Sequence, residues 1–253
     1  GIAMIIAGAI ALYKYEYNLV LMIIILLIGL IPLLKMTETL DLEEKHTESF
    51  KERLYNHFVK STKIVFKDKR LLFLIIIGAL MAAPVTVIFF YFQLYLVEDL
   101  LYTTFYMGLL LASHSVFGAL GGYFADILEK KFREKIILYI IPIFLVIMFW
   151  MIQIEAIVFI PFALLGFFDS IFYVVLSDYI NHMIPSKERA TILSFNSFAF
   201  SIVMIIVFPI IGYIAENKGF KYSFFILAII ISVFLAGLLF TLLTNKHIQL
   251  KED

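Results

Sequence analysis

Apolar residues run along this chain in blocks, separated by short charged stretches. Seven blocks are long enough to span a membrane: 17–34, 71–97, 105–125, 136–154, 156–177, 190–215 and 222–243. Each is close to the ~20 residues an α-helix needs to cross ~30 Å of hydrocarbon. A backbone in lipid has no water to bond, so runs of this length are predicted as helices. Barrel strands would be roughly ten residues long and alternately polar, and no block has that pattern. Residues 2–13 form a shorter apolar run, predicted as the end of a further helix that begins before Gly1. Pro84, Pro142, Pro161 and Pro209 fall inside blocks and are expected to kink them.

The blocks differ in how they carry polar groups. Blocks 17–34, 136–154 and 222–243 carry almost no polar side chain in their middles. The other four carry stripes at steps of three and four, which place each stripe on one helix face. The first stripe is Gly78, Ala82, Thr86, Phe89 and Gln93. The second is His114, Gly118, Gly121 and Gly122, with Ser113 and Ser115 beside it. Gly166, Asp169, Ser170, Tyr173 and Ser177 form the third, and Ser194, Ser197 and Ser201 the fourth, with Asn196 adjacent. Lipid cannot satisfy such groups, so these faces are expected to meet protein or water. The last six blocks thus read polar, polar, greasy, polar, polar, greasy. That order predicts two similar three-helix units around a central cavity, a transporter architecture. The fold class is all-α: a polytopic helix bundle of seven complete spans and one truncated span.

Composition supports lipid as the solvent. Hydrophobic residues make up 63% of the 253 and charged residues 16%, against about half and a quarter in soluble domains. The net charge is zero, which gives nucleic acid no reason to bind, and the absence of cysteine removes disulfide and thiol chemistry. Basic residues set the expected orientation. Segments 35–70, 126–135, 178–189 and 244–253 hold 17 of the 20 lysines and arginines, so the positive-inside rule places them and the C-terminus in the cytoplasm, at the plasma membrane. Trp150 then falls at the outer interface. The long loop contains Ser49 and Glu52 as a capping box, followed by Phe50, Leu54 and Phe58 at helical spacing. This predicts an amphipathic helix on the inner membrane face or against the bundle, acting as a tether between bundles or as a docking site for a partner.

Three stretches resemble the major facilitator superfamily. Gly122-Tyr-Phe-Ala-Asp126-Ile-Leu-Glu-Lys130-Lys131 is similar to the family's G-x-x-x-D-R-x-G-R-R signature, with Ile127 and Glu129 as departures. Pro185-Ser-Lys-Glu-Arg189-Ala190-Thr191, followed by Ser194, looks like its link between the tenth and eleventh helices, and Pro209-Ile-Ile-Gly212 is also similar. The resemblance implies that residues 1–34 are the end of the fifth helix and the sixth, 35–70 the central loop, and 71–253 the C-terminal six-helix bundle with its tail. It implies alternating access, a small-molecule substrate, and a partner six-helix half that this chain lacks. It makes Gly122, Asp126, Lys130, Lys131, Arg133, Asp178 and Arg189 a cytoplasmic latch. Without the resemblance, the same charges read as a solvated helix end.

Asp169 is the one carboxylate near the middle of a block. A charge there costs about 2.5–3.5 kcal/mol on insertion scales, which favours a functional role as proton acceptor or contact for a cationic substrate. The alternative is a protonated carboxyl bonding a neighbouring helix. His114 titrates near neutrality when unperturbed, but its face is glycine-rich, which favours close packing. Gln93, Thr86, Tyr173, Asn196 and Ser201 complete the candidate pathway, though any of them also serves as an interhelical hydrogen bond. No catalytic, cofactor or metal motif is present, and a nucleotide-binding loop is absent. Secondary transport, possible with protons as coupling ion, is the expected function. Its rivals are a sensor or scaffold on the same fold and a membrane enzyme pairing Asp169 with His114.

Overall fold

The computed structural model describes residues 2–34, 59, 62, 63, 65–132, 134–185 and 189–244. The capping box and Phe50, Leu54 and Phe58 lie outside the described residues, as does Arg133.

Helices occupy every predicted block: α1 Ile2–Ala11, α2 Glu16–Leu33, α3 Lys69–Glu98, α4 Thr104–Lys131, α5 Glu134–Met151, α6 Phe159–Met183, α7 Arg189–Lys218 and α8 Phe220–Thr244. Among the described residues, α3, α4, α6, α7 and α8 are long and apolar enough to cross a membrane. At 18 residues each, α2 and α5 extend only about 27 Å at 1.5 Å per residue, slightly less than the hydrocarbon thickness. The bundle is therefore that of an integral membrane protein.

Local chemistry fixes several helix ends. Asp68 caps α3, its carboxylate accepting from the Arg70 and Leu71 amides at 2.9 and 3.2 Å. The α7–α8 corner is a single residue, Gly219, whose φ of 86° lies in the left-handed region that glycine enters without strain. The Pro161 expectation changes. A 3-10 turn at Glu155–Ile157 precedes α6, which starts only at Phe159, so Pro161 sits in the first turn. An amide there has no intrahelical acceptor, so proline removes nothing. Pro84, Pro142 and Pro209 lie within continuous helices, as does Pro32.

The core forms where α3, α6 and α8 meet. Phe92 and Phe162 stack at 4.3 Å between ring centroids, with Phe224 and Tyr95 against Phe92, and the three phenylalanines are fully or almost fully buried. Around this centre α5 packs on α6 and α8, and α7 packs on α3 and α8. Helix α4 has its most extensive contact with α6 and its next with α1. Glycine makes both seams possible. A Cβ on Gly121 would strike the Phe167 backbone, and one on Gly166 the His114 backbone. Gly8 of α1 and Gly108 of α4 face each other the same way, and Thr104 donates to the Gly8 carbonyl at 3.4 Å. Helix α2 is tied to α1 by the Asn18 amide, which donates to the Ala7 carbonyl at 3.1 Å, and is otherwise apolar and exposed.

Candidate functional site

Three helices enclose a cavity of about 370 Å³. Helix α3 contributes Gly78, Ala79, Ala82 and Thr86, and α6 contributes Asp169, Phe172, Tyr173 and Leu176. Helix α7 adds Asn196, Ser197, Phe200 and Ser201. The stripes explain the convergence. Thr86 follows Ala82 by one turn, Tyr173 follows Asp169, and Ser201 follows Ser197, so each helix turns one face inward. Gly78 sits where a Cβ would press on the Leu176 side chain, and so it lets α3 and α6 close one end.

Five of the seven pathway candidates are brought together here: Thr86, Asp169, Tyr173, Asn196 and Ser201. Asp169 is half-buried, and among the described residues no cation lies within ion-pair range of it. Tyr173, also lining the cavity, is 63% exposed, so the cavity opens away from the bundle's interior. The lining hydroxyls are held by their own helices. Thr86 donates to the Ala82 carbonyl at 3.1 Å, Ser197 to Leu193 at 3.3 Å, and Ser201 to Ser197 at 2.9 Å.

The other two candidates lie elsewhere. Gln93 donates to the Phe89 carbonyl at 3.2 Å, farther along α3. His114 is wedged between Phe89 and Phe162, at 5.0 and 5.1 Å between ring centroids. Among the described residues no hydrogen bond or ion pair joins it to Asp169. Among the described residues no α4 residue is in the lining of this cavity. The α4 stripe meets protein instead, through glycines pressed on the α6 backbone, because Cβ-free surfaces favour close helix packing. Sequence reasoning missed Phe172 and Phe200. Both lie at helical spacing from stripe members, Phe172 three after Asp169 and Phe200 four after Asn196. In apolar runs rich in phenylalanine, nothing in the sequence sets these two rings apart from their neighbours.

The signature residues gather at the α4 and α6 C-terminal ends. Asp126 accepts from Lys130, one turn on, at 2.6 Å, and both side chains are exposed. Lys131 lies over the Phe132 ring at 5.6 Å, and Gly122 faces the Ser170 hydroxyl. Asp178 is 3.6 Å from His182 within α6, and Arg189 donates to the Asn181 carbonyl at 3.5 Å, joining the start of α7 to α6.

Comparison with known proteins follows this geometry. The model of the Major Facilitator Superfamily matches residues 1–160 and 136–252. No curated protein sequence matches the chain. Among solved structures, the chain is similar to the inward-open xylose transporter XylE from E. coli, with a TM-score of 0.54 and 18% identity over 72% of this chain and 50% of that one. It is also similar to the proton:xylose symporter XylE bound to 6-bromo-6-deoxy-D-glucose, with a TM-score of 0.51 and 17% identity over 75% of this chain and 48% of that one. At such identity the likeness is one of fold, and the chain spans about half the length of these transporters. With the family model matched along both halves of the chain, this protein belongs to the major facilitator superfamily.

Proposed function

We propose that the chain forms one wall of a secondary active transporter that works by alternating access, with Asp169 as its proton-binding group. The observation that carries this reading is the cavity: a half-buried carboxylate, with no cation in reach among the described residues, on a face that opens away from the bundle. A carboxylate at membrane depth is costly unless it is used or paired. The chain's span of about half a solved relative agrees with a second six-helix bundle closing the cavity. In this reading residues 1–34 are the fifth and sixth helices, 35–70 the central loop, and 71–253 the C-terminal bundle. The C-terminus is cytoplasmic, in the plasma membrane.

The enzyme alternative is disfavoured by the separation of function between Asp169 and His114: one lines the cavity, the other packs among aromatic rings. The test is reconstitution of the complete transporter in proteoliposomes under an imposed proton gradient. Labelled xylose and 2-phenylethylamine would serve as probes. Gradient-driven accumulation of one of them is expected, with loss of at least about tenfold in Asp169→Asn, the scale of one charge-assisted hydrogen bond. Accumulation by Asp169→Asn at the wild-type level would leave the carboxyl as an interhelical contact.

A further inference from the structure

Most of the hydrogen-bonding side chains left open to the cavity present acceptors. Thr86, Ser197 and Ser201 each donate to a carbonyl in the preceding turn of their own helix. A carbonyl only accepts, so the single O–H of each hydroxyl is engaged and only lone pairs remain. Ionised Asp169 adds a group that is acceptor-only. Among the described residues no lysine, arginine or histidine lines the cavity. The donors that remain are the Asn196 amide and the Tyr173 hydroxyl.

This inventory discriminates among ligand classes. On this wall an anion would meet a carboxylate with no compensating cation among the described residues. A sugar offers donors and acceptors in equal measure, and its acceptors would find few partners here; buried polar groups left unpaired weaken binding. A protonated amine has the opposite character, since its nitrogen carries only donors and a positive charge. Phe200, which is partly exposed, provides an aromatic surface for the rest of such a molecule.

We infer that this cavity binds a protonated primary or secondary amine with an apolar or aromatic body, its N–H groups directed to Asp169 and to the hydroxyl lone pairs of Thr86 and Ser201. The inference rests on the reading of the cavity as the transport site. It goes beyond that reading by requiring donors on the ligand, so a quaternary ammonium of equal charge is a poor fit.

Calorimetric titration of the complete transporter in detergent, near neutral pH, tests it with four probes: 2-phenylethylammonium, its N,N,N-trimethyl analogue, 2-phenylethanol and xylose. The ammonium should bind at least about tenfold tighter than the other three, the scale expected for charge-assisted hydrogen bonds. Asp169→Asn should weaken it by about the same factor, and Thr86→Val combined with Ser201→Ala should weaken it severalfold. The comparison among probes needs only the wild-type protein, so a variant that fails to fold does not affect it. Equal binding of the trimethyl analogue or of the alcohol, tighter binding of xylose, or no binding by the ammonium would overturn the inference. A transporter that moves xylose but does not bind the ammonium sinks this inference alone. One that binds the ammonium yet moves no solute sinks the transport reading and leaves the site standing.

Discussion

The hydroxyl of Tyr91 on α3 donates to the Phe208 carbonyl on α7 at 3.2 Å, and their rings lie 4.8 Å apart. Gly212, one turn beyond Phe208, makes room for it, since a Cβ there would overlap the tyrosine hydroxyl. Pro209 sits between them, in a helix that has lost one amide donor. Tyr91→Phe is expected to destabilise the purified protein by about 1 kcal/mol, the usual net worth of such a bond. Gly212→Ala should cost more alone than in the Tyr91→Phe background, where the displaced hydroxyl is already gone. Denaturation of the four proteins measures this coupling, and simple additivity would disprove the contact.

The seam between α4 and α6 gives a graded series. Gly121→Ala and Gly166→Ala place a methyl against backbone that cannot rotate away, and each should cost about 1–3 kcal/mol, the range for overpacking. Gly122→Ala meets only the Ser170 hydroxyl and should be milder. Gly29→Ala, with nothing within 4 Å, should be neutral or slightly stabilising because alanine favours helix. Thermal unfolding in detergent ranks them. Equal effects at Gly121 and Gly29 would refute the packing described.

Asp126 and Lys130 form an exposed pair within one helix, and such pairs contribute about 0–1 kcal/mol. Asp126→Asn should therefore leave unfolding unchanged within about that amount. If the signature aspartate also holds an inner gate, the same substitution shifts the complete transporter toward its inward-open state. A distance probe across that gate reads the shift. An unaltered population with intact transport leaves only a solvated charge.

Orientation is open to direct labelling, because the chain has no cysteine. Single cysteines at Asp99, Lys131, Arg189 and Lys218, all exposed, should react differently with an impermeant thiol reagent on intact cells. Labelling is expected at positions 99 and 218 and not at 131 or 189. The reverse pattern would invert the topology.

Much of the architecture was legible from the chain because lipid imposes simple rules on length and polarity. The stripes on α3, α6 and α7 located the cavity because a polar group at membrane depth must face something other than lipid. The same rule could not say what each stripe faces. His114 and Thr86 look alike in sequence, yet one is packed among Phe89 and Phe162 while the other lines the cavity. The difference lies in Gly118, Gly121 and Gly166, which let the α4 and α6 backbones come into close contact beside His114. Phe172 and Phe200 were missed because an aromatic in an apolar helix carries no periodic contrast. Pro161 was misplaced because a helix start within a continuous apolar run has no compositional edge.

The meeting of Gly8 with Gly108 has a mechanical consequence. Elsewhere in the bundle, as at Phe92 and Phe162, bulky rings interlock, and any rotation must lift one out of its neighbour's socket. Between α1 and α4 two bare backbones touch, with no side chain from either glycine to act as a tooth. Such a contact resists separation but offers little resistance to a small turn about its own point of crossing. It has the form of a bearing, smooth where the ring-packed core of α3, α6 and α8 is geared.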